Sequence, residues 1–199
     1  MERQDDFGPA GSDYRIIVTR RRTSRMSMRI DKDGNVRVSV PIGTYEMDVE
    51  EFISKNRDWI ERARAKVTKN QEQRAAFFGQ LPLKTQAQWL EARDRLDAIV
   101  RPLISHYEPL MGVHAENIFY RATISRWGIC YIQQRTVGFS LYLLLLPTWC
   151  IEQTVVHELA HLLVPNHGPR FHAVMDRYYP RWREAKDETR RIYRMEDED

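Results

Sequence analysis

Cysteine is scarce in this chain of 199 residues: Cys130 and Cys150 are the whole complement. Two thiols cannot make the disulfide framework of a small secreted protein, and they do not form a Cys-x-x-Cys metal pair. They read as small, partly buried thiols of a reducing compartment. Long hydrophobic runs are missing too. The longest, Leu141 to Leu146 with Tyr142 inside it, is far too short to span a bilayer. Met1 to Asp13 is polar and partly acidic with no apolar core segment, so it does not read as a signal peptide. The chain is therefore expected in the cytoplasm, with no membrane partner. A strong charge of one sign is lacking as well, since 31 Lys and Arg against 28 Asp and Glu leave +3. Basic residues do gather locally, at Arg20, Arg21, Arg22, Arg25 and Arg29, and the chain ends acidic at Glu196, Asp197, Glu198 and Asp199. With no nucleic-acid motif beside it, the arginine cluster reads as a solvated hairpin, and nucleic acid as a partner has weak support.

Apolar material is plentiful: 42% of residues are hydrophobic, among them five Trp, nine Tyr and seven Phe. That suffices for one core with a small flanking subdomain. Residues 1–13 read as a disordered leader. Tyr14 to Thr19, Met26 to Ile30 and Val36 to Val40 read as strands. Asp33-Gly34-Asn35 makes a hairpin turn between the last two, because Gly and Asn tolerate positive φ. The expectation is a small antiparallel sheet. Met47 to Val67 has apolar residues three and four apart, the mark of an amphipathic helix. Thr68 to Gln86 lacks periodicity and reads as a connection with a short strand near Phe77 to Leu83. Ala87 to Met111 reads as a helix with Trp89, Leu96, Ile99, Leu103 and Leu110 inward, kinked or split at Pro102.

Ile118 to Ile124 and Val137 to Leu146 read as strands. Trp149 to Val164 follows as a helix, with Thr148 as N-cap and Glu152 in its first turn. Pro165-Asn166 ends it. Pro169 opens another helix to about Tyr179, and a charged helix follows Pro180. The fold class is α+β. The spans are a leader at 1–13, a sheet-plus-helix subdomain at 14–83, a main region at 84–188 and an acidic tail at 189–199.

Chemistry concentrates in His157-Glu158-Leu159-Ala160-His161. On a helix, residues four apart share one face, so His157 and His161 can grip one metal ion from a rigid element. Glu158 then sits beside the metal, placed to take a proton from a water. The surrounding helix is apolar (Ile151, Val155, Val156, Leu159, Leu162, Leu163), and polar groups placed there are expensive without a role. A catalytic zinc site uses three protein ligands and keeps a fourth position open. Spacing leaves two candidates for the third: His167, on the turn after Pro165, and His172, on the next helix. The rigid Gly168-Pro169 entry favours His167.

Val155 to His161, followed by Asn166-His167-Gly168-Pro169-Arg170-Phe171, resembles the YgjP-like branch of the SprT-like zinc metallopeptidases. Ser125-Arg126-Trp127-Gly128-Ile129-Cys130 is similar to the family's Ser-Arg-Trp-Gly-Ser-Cys segment, with Ile129 where Ser is frequent. The opening strands, Trp59-Ile60 and Pro180-x-Trp182 fit as well, so the likeness spans roughly residues 14 to 187. It departs at His172, where Trp is usual, and at Glu152, where Asp is common. The resemblance implies a zincin-like core, a mixed sheet with an active-site helix, behind the small N-terminal sheet. It implies Zn²⁺ on His157, His161 and His167, and a peptide or protein substrate hydrolysed with Glu158 as base. Arg126, Tyr178 and Tyr179 are candidates for a substrate or oxyanion contact. Val137 to Leu146 is a candidate edge for an extended peptide, or else an internal strand. Two other readings stand beside this one. One is a zinc-containing binding or regulatory protein with little catalysis, which the presence of Glu158 and an open fourth position argue against. The other is a protease acting on DNA-associated proteins, by analogy only.

Overall fold

The computed structural model describes residues 4–6 and 13–194, with side chains described for 13–192. The chain forms two compact units, Met1–Glu72 and Gln73–Asp199. They part inside a helix rather than at the connection near residue 83. Among the described residues, no helix is long and apolar enough to cross a membrane.

The first unit holds strands β1 (Gln4–Asp6), β2 (Ile16–Arg21), β3 (Ser27–Ile30) and β4 (Val36–Pro41) in the spatial order β1-β2-β4-β3. Most of the leader expected at 1–13 lies outside the described residues, but Gln4–Asp6 pairs antiparallel with β2. The sheet is mixed rather than wholly antiparallel, because β2 and β4 run parallel. Burial explains the order. β4 buries Val36, Val38 and Val40 and takes the centre, while β3 buries none of its side chains and takes the edge. The β3–β4 hairpin forms as expected. Gly34 adopts φ +79°, and the Asp31 carboxylate accepts the Asp33 and Asn35 N–H groups at 3.0 Å each.

Helix α1 (Glu46–Lys55) and helix α2 (Arg57–Gly79) replace the single helix expected to end at Val67. The break falls at Asn56, whose side-chain amide donates to the Phe52 carbonyl at 2.7 Å. Val49 from α1 and Ile60 from α2 complete the small core with Ile16, Val18 and the β4 valines. Arg64 ties α2 to this sheet, donating to the Gly34 carbonyl at 3.0 Å and lying over the Tyr14 ring at 3.8 Å. Residues 68–79 are helical, not a connection with a strand. They are rich in Ala, Gln, Glu, Arg and Lys and contain no breaker before Gly79.

In the second unit, α2 delivers Phe77 and Phe78 to the main core. Helix α3 (Gln86–Met111) starts at a capping box of Thr85 and Gln88, runs unbroken through Pro102 and Pro109, and stops at Gly112 with φ +66°. Pro102 therefore does not split it. The buried stripe is Ala92, Leu96, Val100, Ile104, Tyr107 and Met111, whereas Leu110, expected inward, is 55% exposed. Each fully buried aliphatic chain of this kind stabilises the fold by roughly 1.5–3 kcal/mol.

Strands β5 (Asn117–Arg121), β6 (Gly128–Tyr131) and β7 (Thr136–Ser140) form a sheet in the order β5-β7-β6, with β5 parallel and β6 antiparallel to β7. The expected strand at 137–146 stops at Ser140, and Leu141–Leu145 is a 3₁₀ turn. The Ser140 hydroxyl starts that turn by accepting the Tyr142 N–H. β7 is consequently the central strand and offers no free edge, while β6 does. Helix α4 (Thr148–His161) packs across β6, β7 and α3 and is buried along most of its length. Its N-cap is Pro147 rather than Thr148. Helix α5 (Pro169–Tyr178) and helix α6 (Trp182–Arg194) follow, so the helix reaches into the span expected as acidic tail; residues 195–199 lie outside the described ones.

Candidate metal centre

Three imidazoles meet at the C-terminal end of α4. His157 and His161, one helical turn apart, hold their Nε2 atoms 3.2 Å apart. His167, on the turn between α4 and α5, brings its Nε2 to 2.9 Å from that of His157. The rings are fixed from behind by Phe171, whose centroid lies 4.7–4.8 Å from all three. The His161 Nδ1–H faces the Val164 carbonyl at 3.3 Å, which leaves its Nε2 lone pair pointing into the cluster.

The donor set suits a divalent cation. Burial, then the neighbouring His161 and His167, press His157 down to about 3, and burial lowers His161 as well. These groups stay neutral near pH 7 and keep their lone pairs. Tetrahedral zinc with Zn–N bonds of about 2.0–2.1 Å requires ligand nitrogens about 3.3 Å apart, close to the 3.2 and 2.9 Å that separate His157 from His161 and His167. Among the described residues this is the cluster of three or more His, Cys, Asp or Glu able to hold a metal ion, and its ligand atoms lie within 4.8 Å of one another.

Glu158 is 5% exposed and lies against β6. Burial pushes its carboxyl up to about 8, and the Arg126 guanidinium opposes that rise. Gly128 accounts for the close approach: a Cβ there would stand 2.6 and 2.7 Å from Cγ and Cδ of Glu158 and closer still to Oε1. Cys130 faces the same side two residues on. Burial, then the charge of Glu158, raise its thiol to about 11, so it is protonated and no nucleophile.

The cluster opens into a cleft of about 370 Å³ whose lining includes Trp127, Gln153, Thr154, His172, Trp182 and Lys186. His172 stays out of the cluster, stacking flat on Trp182 with centroids 5.2 Å apart. The Trp182 indole N–H donates to Asp176 at 2.8 Å, which fixes that wall. Arg126 is exposed and acts on Glu158 through its charge rather than lining the cleft. Tyr178, at the far end of α5, packs beneath Arg177 and does not line the cleft, and the Tyr179 hydroxyl donates to the Trp149 carbonyl. Gln153 and Thr154, missed by the sequence reading, share the face of His157 and Glu158 at a spacing of four. Lys186 gives no local signal, because tertiary packing of α6 brings it to the cleft.

A family model described as YgjP-like, metallopeptidase domain, matches residues 24–84 and 82–192. The crystal structure of the metallopeptidase zymogen of Pyrococcus abyssi abylysin is similar at 22% identity and a TM-score of 0.41, covering 44% of this chain and 89% of that one. No curated protein matches the chain.

Proposed function

The chain belongs to the YgjP-like metallopeptidase family, a hydrolase family acting on peptides or proteins, and from that premise we propose that it cleaves peptide bonds at zinc held by His157, His161 and His167, with Glu158 as general base. The convergence of three imidazoles beside a buried carboxyl carries this reading. Zinc bound there would supply a Lewis acid that brings the pKa of a water molecule toward neutrality and polarises a carbonyl. Glu158 takes the proton of the attacking water on its carboxylate and delivers it to the leaving amine. Arg126 is the one charge that favours ionised Glu158, and zinc bound beside it would add a second. The extended substrate pairs with the free edge of β6, since β7 is enclosed by β5 and β6. A cytoplasmic location accords with the scarcity of cysteine.

The test is Glu158→Gln in the zinc-loaded protein. Zinc stoichiometry should be retained and peptide hydrolysis should fall by about 10²–10⁴-fold. Full activity in Glu158→Gln would overturn the assignment of the base. Absence of hydrolysis by the zinc-loaded wild type over a broad peptide set would favour a zinc-containing binding protein instead.

A further inference from the structure

Helix α6 buries Trp182, Ala185 and Thr189 along one stripe. Lys186 stands one turn after Trp182 at the margin of that stripe. Its ammonium lies 5.9 Å from the Trp182 ring, and it lines the same cleft as His157, Glu158 and His167. The neighbouring charges are already matched. Arg181 meets Glu184 at 2.9 Å, Arg183 meets Asp176 at 2.6 Å, Arg190 meets Asp187 at 3.0 Å and Arg191 meets Glu188 at 2.8 Å. Every acid of α6 and of the adjoining α5 turn thus has its own arginine. Among the described residues Lys186 has no carboxylate partner.

The cleft supplies none either. Glu158 is the sole acid in its lining, and that group is taken up by the base role. The wall carrying Lys186 is rigid, because Trp182 is held by its hydrogen bond to Asp176 and by the stacked His172 ring. The Lys186 ammonium, 5.9 Å from the Trp182 ring, stands at that wall on the cleft lining.

We propose that Lys186 forms a substrate subsite selecting a carboxylate, either an acidic side chain near the scissile bond or the free C-terminus of a peptide. The inference rests on the peptidase reading above. A carboxylate there gains the one unmatched cation of the cleft, and a basic residue meets repulsion, so selection works in both directions. The contact is present before and during reaction alike, so it acts on KM more than on kcat.

The experiment uses the zinc-loaded full chain and one peptide varied as Glu, Gln or Lys at each position flanking the cleaved bond, with free and amidated C-termini. At one position Glu should exceed Gln by about 3–10-fold in kcat/KM, with Lys below Gln, as befits a partly exposed pair worth roughly 1 kcal/mol. The difference should lie in KM and shrink at about 1 M NaCl. If the terminal carboxylate is the ligand, free peptides should exceed amidated ones by a similar factor, and internal charge should not matter. Lys186→Glu should reverse the order of Glu and Lys peptides, or of free and amidated ones, and Lys186→Met should flatten it. Equal cleavage of all peptides by the wild type would overturn the subsite and leave the peptidase standing. A preference unchanged in Lys186→Glu would overturn it too. No cleavage of any peptide would overturn both.

Discussion

Adding one methyl group at Gly128 puts it where the Glu158 side chain already is. The new Cβ would stand 2.6 Å from Cγ and 2.7 Å from Cδ of Glu158. Carbon atoms rest at about 3.5–4.0 Å, so roughly 1 Å must be found. The backbone at 128 has no positive φ and accepts alanine without strain of its own. The β6–β7 ladder holds Gly128 in register with Phe139, so the strand is the stiffer partner. Glu158 is the longer, freer side chain, and its carboxylate is therefore the group displaced. A misplacement of about 1 Å in a catalytic group costs on the order of 10²-fold, whereas overpacking costs the fold about 1–3 kcal/mol. Gly128→Ala should accordingly keep its three imidazoles and full zinc stoichiometry, remain folded, and lose about a hundredfold in kcat with little change in KM. Zinc content by elemental analysis, a thermal melt and steady-state kinetics on one peptide decide it. A folded, zinc-replete Gly128→Ala enzyme with wild-type kcat would refute both the contact and the role given to Glu158.

His167→Ala should weaken zinc binding by at least about 10²-fold, because it removes one of three ligands, while His172→Ala should bind zinc as the wild type does; competition with a chromogenic chelator measures both, and the opposite pattern would exchange the two histidines. Metal-free protein should be most stable near pH 6.5. His157 falls from its ordinary 6.5 to about 3 on folding, so its contribution is present above 6.5 and lost as pH drops through that interval toward 3. Glu158 rises from 4.5 to about 8, so its contribution is present below 4.5 and lost as pH climbs toward 8. His161 is lowered as well and adds to the acid limb, so the histidines outweigh Glu158 on the approach to pH 6.5, above which Glu158 acts against stability; each group contributes no more than about 1.4 kcal/mol per pH unit. Denaturant midpoints in chelator should therefore decline on both sides, and Glu158→Gln should flatten the alkaline limb; a midpoint rising from pH 6.5 to 8 would contradict this.

Legibility in the sequence followed the range of the interactions. The β3–β4 hairpin was readable because Asp33-Gly34-Asn35 encodes its turn locally. The parallel pairing of β2 with β4 was not, since it depends on which strand buries both neighbours. Residues 68–79 escaped notice because their face is polar until Phe77, which leaves no apolar period to detect. The leucines at 141–146 were misread because a short continuous apolar run looks alike as strand or as 3₁₀ turn. β6, four residues long, was too short to register. In the site, His157, Glu158 and His161 are neighbours on one helix and declare themselves. His167 is announced by the Gly168-Pro169 entry to α5. Lys186 arrives from a helix whose docking no local pattern encodes.

The free edge of β6 has a cost outside enzymology. An unpaired strand edge accepts any chain able to extend along it, including the same strand from a second molecule. Such pairing would bury the cleft and seed aggregation. Four residues give little purchase for a ladder of that kind, and the strand's first residue, Gly128, has no side chain to pack. The same brevity means that a peptide paired there as proposed would gain few backbone hydrogen bonds from β6 and would draw its residence time from elsewhere in the cleft.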